Sequence, residues 1–276
     1  MSRSTRPFVT AALCLSAMLA LPARARADAI TFDLAATGPG TGPAGAGAYG
    51  NTRYFDGSPG GVTLAARAYG NALGYFGDAA LGLWSGNGLG VCFLEHCQAD
   101  KHQVDNADAF DEWVLFLFSD PVNLLAIELN TTSGGDTDME YYAGFIPGAY
   151  DALDFGWPPD AWHYADLAPF THGVDAPGGV NGDRAVDLTG VDGVNFLLVG
   201  AHTGAYDTQL VCTKRWASGE CKKWESRALK DYFKIEALTA STFDPPADVP
   251  VPEPTSLLLL GTGLLGVARR MRNRRQ

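Results

Sequence analysis

The segment Glu112–Phe118, EWVLFLF, is almost uninterrupted apolar sequence. A run of this length is too short for a normal helix, and a strand of this composition needs cover on both faces. DYFKIEAL, Asp231–Leu238, alternates instead. Phe233, Ile235 and Ala237 are expected on a dry face, with Lys234 and Glu236 on a wet one. Between and before these lie further short runs: Asp28–Leu34, Gly61–Tyr69, Leu89–Phe93, Val122–Leu129, Thr137–Phe145 and Val194–Ala201. Pro121 is expected to break the chain between EWVLFLF and VNLLAIEL, leaving two partner strands. Gly148–Gly182 shows little period, and no amphipathic helix of normal length precedes the C-terminal tail. Many short strands separated by turn residues predict an all-β fold. The expected form is an antiparallel two-sheet β-sandwich, jelly-roll-like, over residues 28–243.

Both ends of the chain carry address-like segments. Met1–Ala27 has Arg3 and Arg6, a 14-residue apolar core from Phe8 to Leu21, and the small-x-small site Ala25-Arg26-Ala27. It reads as a cleavable signal peptide for signal peptidase, with a helical core too short for a comfortable span. At the other end, residues 244–256 form a stiff, Pro-rich linker. Leu257–Ala268 follows, 12 apolar or small residues. As a helix it would reach about 18 Å, against a hydrocarbon core of about 30 Å. Residues 269–276 are basic, with Arg269 and Arg270 first, and would hold that end on the cytoplasmic side. A short transmembrane sorting helix of this kind suits a temporary anchor that processing machinery removes.

Removing both ends leaves Asp28–Glu253, with 31 acidic and 11 basic residues and a net charge of about −20. Such a surface excludes electrostatic binding of nucleic acid or anionic lipid. Cys92, Cys97, Cys212 and Cys221 remain. An even number in an oxidising compartment points to disulfides. The local pairings Cys92–Cys97 and Cys212–Cys221 are expected, since each pair flanks a short polar loop. The alternative is zinc at CFLEHCQADKH, whose spacing fits no standard finger.

Two acidic stretches offer oxygen ligands. HQVDNADAFDE contains Asp105 and Asp111, and GGDTDME contains Asp136 and Asp138. These four are candidate ligands of a structural calcium, and neither stretch is an EF-hand. The alternative is solvated turn carboxylates. FGWPPDAWHYAD carries Trp157, Trp162 and Tyr164. They are candidates for stacking on sugar rings, with packing over the sheet edge as the alternative. The chain contains no G-x-S-x-G, H-E-x-x-H, P-loop or C-x-x-C. His102, His163, His172 and His202 are scattered, and we expect no enzymatic activity.

Val251-Pro252-Glu253-Pro254-Thr255-Ser256, followed by LLLLGTGLLGVA and RR, resembles the PEP-CTERM sorting signal. The resemblance rests on Pro252, Glu253 and Pro254, the apolar span, and Arg269 and Arg270. It implies export, transient inner-membrane anchoring and recognition by exosortase. Delivery would be to the cell surface or exopolysaccharide matrix, where the role is structural or adhesive. The rival is a secreted carbohydrate-binding module or carbohydrate-active enzyme with the same tail. Trp84–Val91, His102–Asn106, Asp111–Phe118, Leu197–Ala201 and Asp231–Leu238 are also similar to PEP-CTERM surface proteins. That likeness implies an extracellular β-sandwich and gives no guide to the cysteine loops.

Overall fold

The computed structural model describes residues 28–37, 47–93, 103–106, 110–131, 136–151, 162–177, 182–203, 208–228 and 230–245. The signal peptide, Cys97, Trp157 and the whole C-terminal sorting segment lie outside them. No α-helix occurs among the described residues, and none is long and apolar enough to cross a membrane. The strands are β1 (Ala29–Asp33), β2 (Thr52–Asp56), β3 (Thr63–Ala72), β4 (Tyr75–Asp78), β5 (Ala80–Trp84), β6 (Gly88–Cys92) and β7 (Val104–Asp105). They continue as β8 (Asp111–Asn130), β9 (Met139–Gly144), β10 (Thr171–Asp175), β11 (Arg184–Asp187), β12 (Val194–Ala201), β13 (Thr208–Arg215), β14 (Cys221–Ala228) and β15 (Tyr232–Thr242). The strand ladders are all antiparallel. Thirteen strands belong to one sheet, and β13–β14 form a second sheet on their own.

β8 organises the large sheet. The expected break at Pro121 does not occur; the strand runs unbroken for 20 residues. Pro121 sits where β8 changes neighbours. Before it, β8 pairs with β3 as far as Phe118↔Leu64; after it, β8 pairs with β15 from Val122↔Thr242 onward. On the other side, the β12 ladder shifts register between Val194 and Phe196, opposite the same point. A residue at such a junction has no ladder donor to lose, so proline is tolerated there.

The apolar run of β8 is covered on both faces, as its composition requires. Val114, Phe116 and Phe118 belong to the larger core cluster with Phe32, Leu64, Leu81 and Leu197. Trp113, Leu115 and Leu117 belong to a second cluster with Tyr69, Phe76, Phe196 and Leu198. β12 divides the same way, Leu197, Val199 and Ala201 facing one cluster and Phe196 and Leu198 the other.

β15 departs from its expected alternation. Phe233 and Ile235 enter the larger core, but the register shifts between Ile235 and Ala237. Beyond that bulge Leu238 and Ala240 take the inward positions instead of Ala237. One extra residue reverses the parity of everything after it. Lys234 is also not on a wet face: it is buried, with its ammonium 4.3 Å from the centroid of the Trp84 ring. Burial holds its pKa below the usual lysine value, and the aromatic face partly replaces the lost water.

Candidate metal centre and sorting segment

Four chain segments meet where β7 ends, β9 begins, β12 ends and β15 begins. Asp136 and Asp138 lead into β9, and Asp231 leads into β15. A parallel bridge joins Asp136 to Asp231, with the Tyr232 amide donating to the Asp136 carbonyl at 2.9 Å. Asn106 ties in the segment after β7. Its Nδ2 donates to Asp231 Oδ2 at 2.7 Å and to the His202 carbonyl at 2.6 Å. Its Oδ1 accepts from the Asp231 amide at 3.1 Å. The His202 amide in turn donates to the Asp138 carbonyl at 3.1 Å.

This backbone scaffold gathers three carboxylates. One oxygen from each of Asp136, Asp138 and Asp231 lies within 4.8 Å of the other two, and all three residues are buried. Three buried like charges at that separation need offsetting by protons or a cation. An all-oxygen set suits a hard divalent ion such as calcium.

Asp136 and Asp138 were candidates from sequence, and the structure brings them together. Asp231 was missed, although it precedes β15 just as Asp138 precedes β9. Asp105 pairs with Tyr232, beside the cluster but outside the triad. Asp111 lies elsewhere: it opens β8 opposite Asn71 and accepts from the Tyr164 hydroxyl at 3.3 Å. Burial pushes the Asp111 carboxyl above the ordinary range, and the Tyr164 hydrogen bond partly opposes this. The sign follows: below the unfolded-chain pKa Asp111 is neutral in both states and costs nothing; as pH rises from there the unfolded chain ionises first, and the loss of stability is complete above the raised folded-state pKa. Asp111→Asn is therefore expected to stabilise the domain at neutral pH by less than about 1 kcal/mol given solvent screening, seen as a slightly higher melting temperature. The gain should shrink as pH falls below the folded-state pKa and vanish below that of the unfolded chain. Thermal melts of both proteins across that range check it; an equal gain at every pH would refute the assignment.

Of the aromatic candidates, Tyr164 and Trp162 pack rather than project, and Trp157 lies outside the described residues. Tyr164 meets Phe76 and Trp113 edge-on, at centroid distances of 5.3 and 5.8 Å. Trp162 stacks on Phe170 at 6.3 Å, and both rest against the second core cluster. Burial, then the charges of Asp111 and Glu140, push the Tyr164 hydroxyl well above its usual pKa. Nearby, Glu140 is buried with His202 Nδ1 at 3.5 Å and His172 Nε2 at 3.8 Å, and it accepts from the Thr203 hydroxyl at 3.0 Å. Neither histidine was singled out beyond its isolation in the sequence.

Of the cysteines, Cys212 and Cys221 are bonded, closing the β13–β14 loop. Cys92 is also in a disulfide, which removes it from the zinc alternative; Cys97 lies outside the described residues.

The nearly all-β, antiparallel domain is thus followed in sequence by a distinct C-terminal segment. Residues 250–275 match the PEP-CTERM protein-sorting motif. The match includes Pro252, Glu253, Pro254, Arg269 and Arg270, and it implies an exported protein sorted by exosortase to the cell surface or extracellular space. No curated protein and no solved structure matches the chain.

Proposed function

We propose that the chain is a structural or adhesive protein of the cell surface or exopolysaccharide matrix, released by signal peptidase and finished by exosortase after transient inner-membrane anchoring. The sorting motif at residues 250–275 carries this reading. The scaffold is a two-sheet, jelly-roll-like sandwich. Its support is β8, which pairs with one set of strands before Pro121 and a largely different set after it, between two apolar clusters. A structural divalent cation, calcium by its donor set, sits at Asp136, Asp138 and Asp231 and fastens the starts of β9 and β15 together. The domain is not an enzyme. Tyr164 and Trp162 are spent on packing, and in the acidic corner the Asp231 carboxylate accepts from Asn106.

Mass spectrometry of the mature C-terminus, from cells with and without exosortase, tests the sorting step. With the enzyme, the chain should end before Leu257; without it, or in a Glu253→Ala variant, the tail should persist nearly completely. A chain ending at Gln276 in both backgrounds would overturn it. A glycan array paired with a hydrolysis screen tests the role. Silence in both fits the structural role, whereas saccharide binding without turnover supports the rival carbohydrate-binding module. Turnover abolished by one carboxylate substitution would make the protein an enzyme.

A further inference from the structure

The β13–β14 hairpin carries charge of the opposite sign from the rest of the mature chain. Residues 208–230 contain Lys214, Arg215, Lys222, Lys223, Arg227 and Lys230 against only Glu220 and Glu225. Six of the 11 basic residues between Asp28 and Glu253 are concentrated there, with two of the 31 acidic ones. The hairpin is therefore about +4 and the remainder about −24. Its two strands pair only with each other among the described elements, and none of its described side chains is buried. A two-stranded ribbon alone is marginal in water, and the Cys212–Cys221 bond holds this one closed.

Its apolar side chains are exposed to an unusual degree. Leu210 is 68% exposed, Trp216 53% and Trp224 59%. Leu210 opposes Ser226 and Cys212 opposes Trp224, so Leu210 and Trp224 share one face. Lys222 lies over the Trp216 ring at 4.0 Å. Exposed tryptophans are the residues enriched at interface centres, and the cations around them suit a polar rim.

The complementary surface is on the same chain. β11 pairs with β8 alone, so its far side is a sheet edge. Glu128 opposes Ala185 and Asp187 opposes Ala126, which puts Glu128 and Asp187 on one exposed face; Asp183 extends it. We propose that the β13–β14 hairpin docks on this acidic β8–β11 face of a second copy. Hairpin and face are different patches, so a docked pair still offers one free hairpin and one free face, and the assembly grows head to tail. Repulsion between the acidic bodies is screened beyond about 8 Å at physiological ionic strength, while the docked charges lie closer than that.

Sedimentation velocity on the processed protein tests this. The wild type should show concentration-dependent growth that fades with added salt. A hairpin variant, Lys222→Glu with Lys223→Glu and Trp224→Ala, and a face variant, Glu128→Lys with Asp187→Lys, should each weaken self-association at least tenfold. Their substitutions are on exposed sites, so unchanged circular dichroism is expected and confirms that both fold. An equimolar mixture of the two should stop at dimers, because only one productive contact remains. A wild type that is monomeric at every concentration, or variants that associate like it, would overturn the proposal. So would a monomer whose hairpin instead binds an anionic polysaccharide such as alginate.

Discussion

Trp113→Ala is expected to destabilise the domain by about 3–5 kcal/mol, the usual range for an emptied aromatic site in a core. Trp113 is fully buried at the start of β8. It meets Phe76 at 5.9 Å, Tyr164 at 5.8 Å and Tyr142 at 6.1 Å, so its loss removes the centre of the aromatic cluster. The neighbouring strand leaves no slack: a Cβ placed on Gly200 would lie 2.5 Å from the indole. Gly200→Ala should therefore destabilise too, by about 1–3 kcal/mol through overpacking. Together the two variants should fall short of the sum of their separate effects, because the alanine at 200 then enters the space the indole vacates. Urea unfolding of the three proteins measures this. Fully additive losses would show that the β12–β8 contact is not what confines the ring.

Calcium is expected to raise the melting temperature by several degrees, and a chelator to reverse it. An ion at a hundred times its dissociation constant stabilises the native state by about 2.7 kcal/mol, and for a domain of this size each kcal/mol shifts the midpoint by about 2–4 °C. The sign of a substitution distinguishes an occupied centre from an empty one. With an ion bound, Asp138→Asn removes a ligand and lowers the midpoint in calcium. With none, the same change relieves repulsion among three buried carboxylates and raises it. Melts in calcium and in EGTA, for wild type and variant, decide the matter. A wild type indifferent to both, with a stabilised Asp138→Asn, would end the case for a cation.

Much of the framework could be read from local pattern. EWVLFLF announced a strand covered on both sides, and Val194–Ala201 was placed with its observed bounds. The failures each have a tertiary cause. Pro121 looks like a terminator in isolation, but its missing donor falls where β8 exchanges one neighbour for another. In β15, strict alternation holds only to the bulge after Ile235, which no composition signal marks. The β13–β14 hairpin was unread as strand because it has no dry face to create a period. Asp136 and Asp138 were visible as a local pair, but Asp231 becomes their neighbour only once β15 is paired with β8. Asp111 shows the converse: acidic and loop-borne in sequence, it serves a tyrosine hydroxyl in the fold.

β15, the strand from which the chain runs on toward the sorting motif, is not at a margin of the sheet. Over Leu238–Ser241 it is clasped by β1 on one side and β8 on the other. Were the processed chain tethered by its C-terminal end, drag would enter through that single strand. Two ladders must then part together before that strand can be stripped from the sheet.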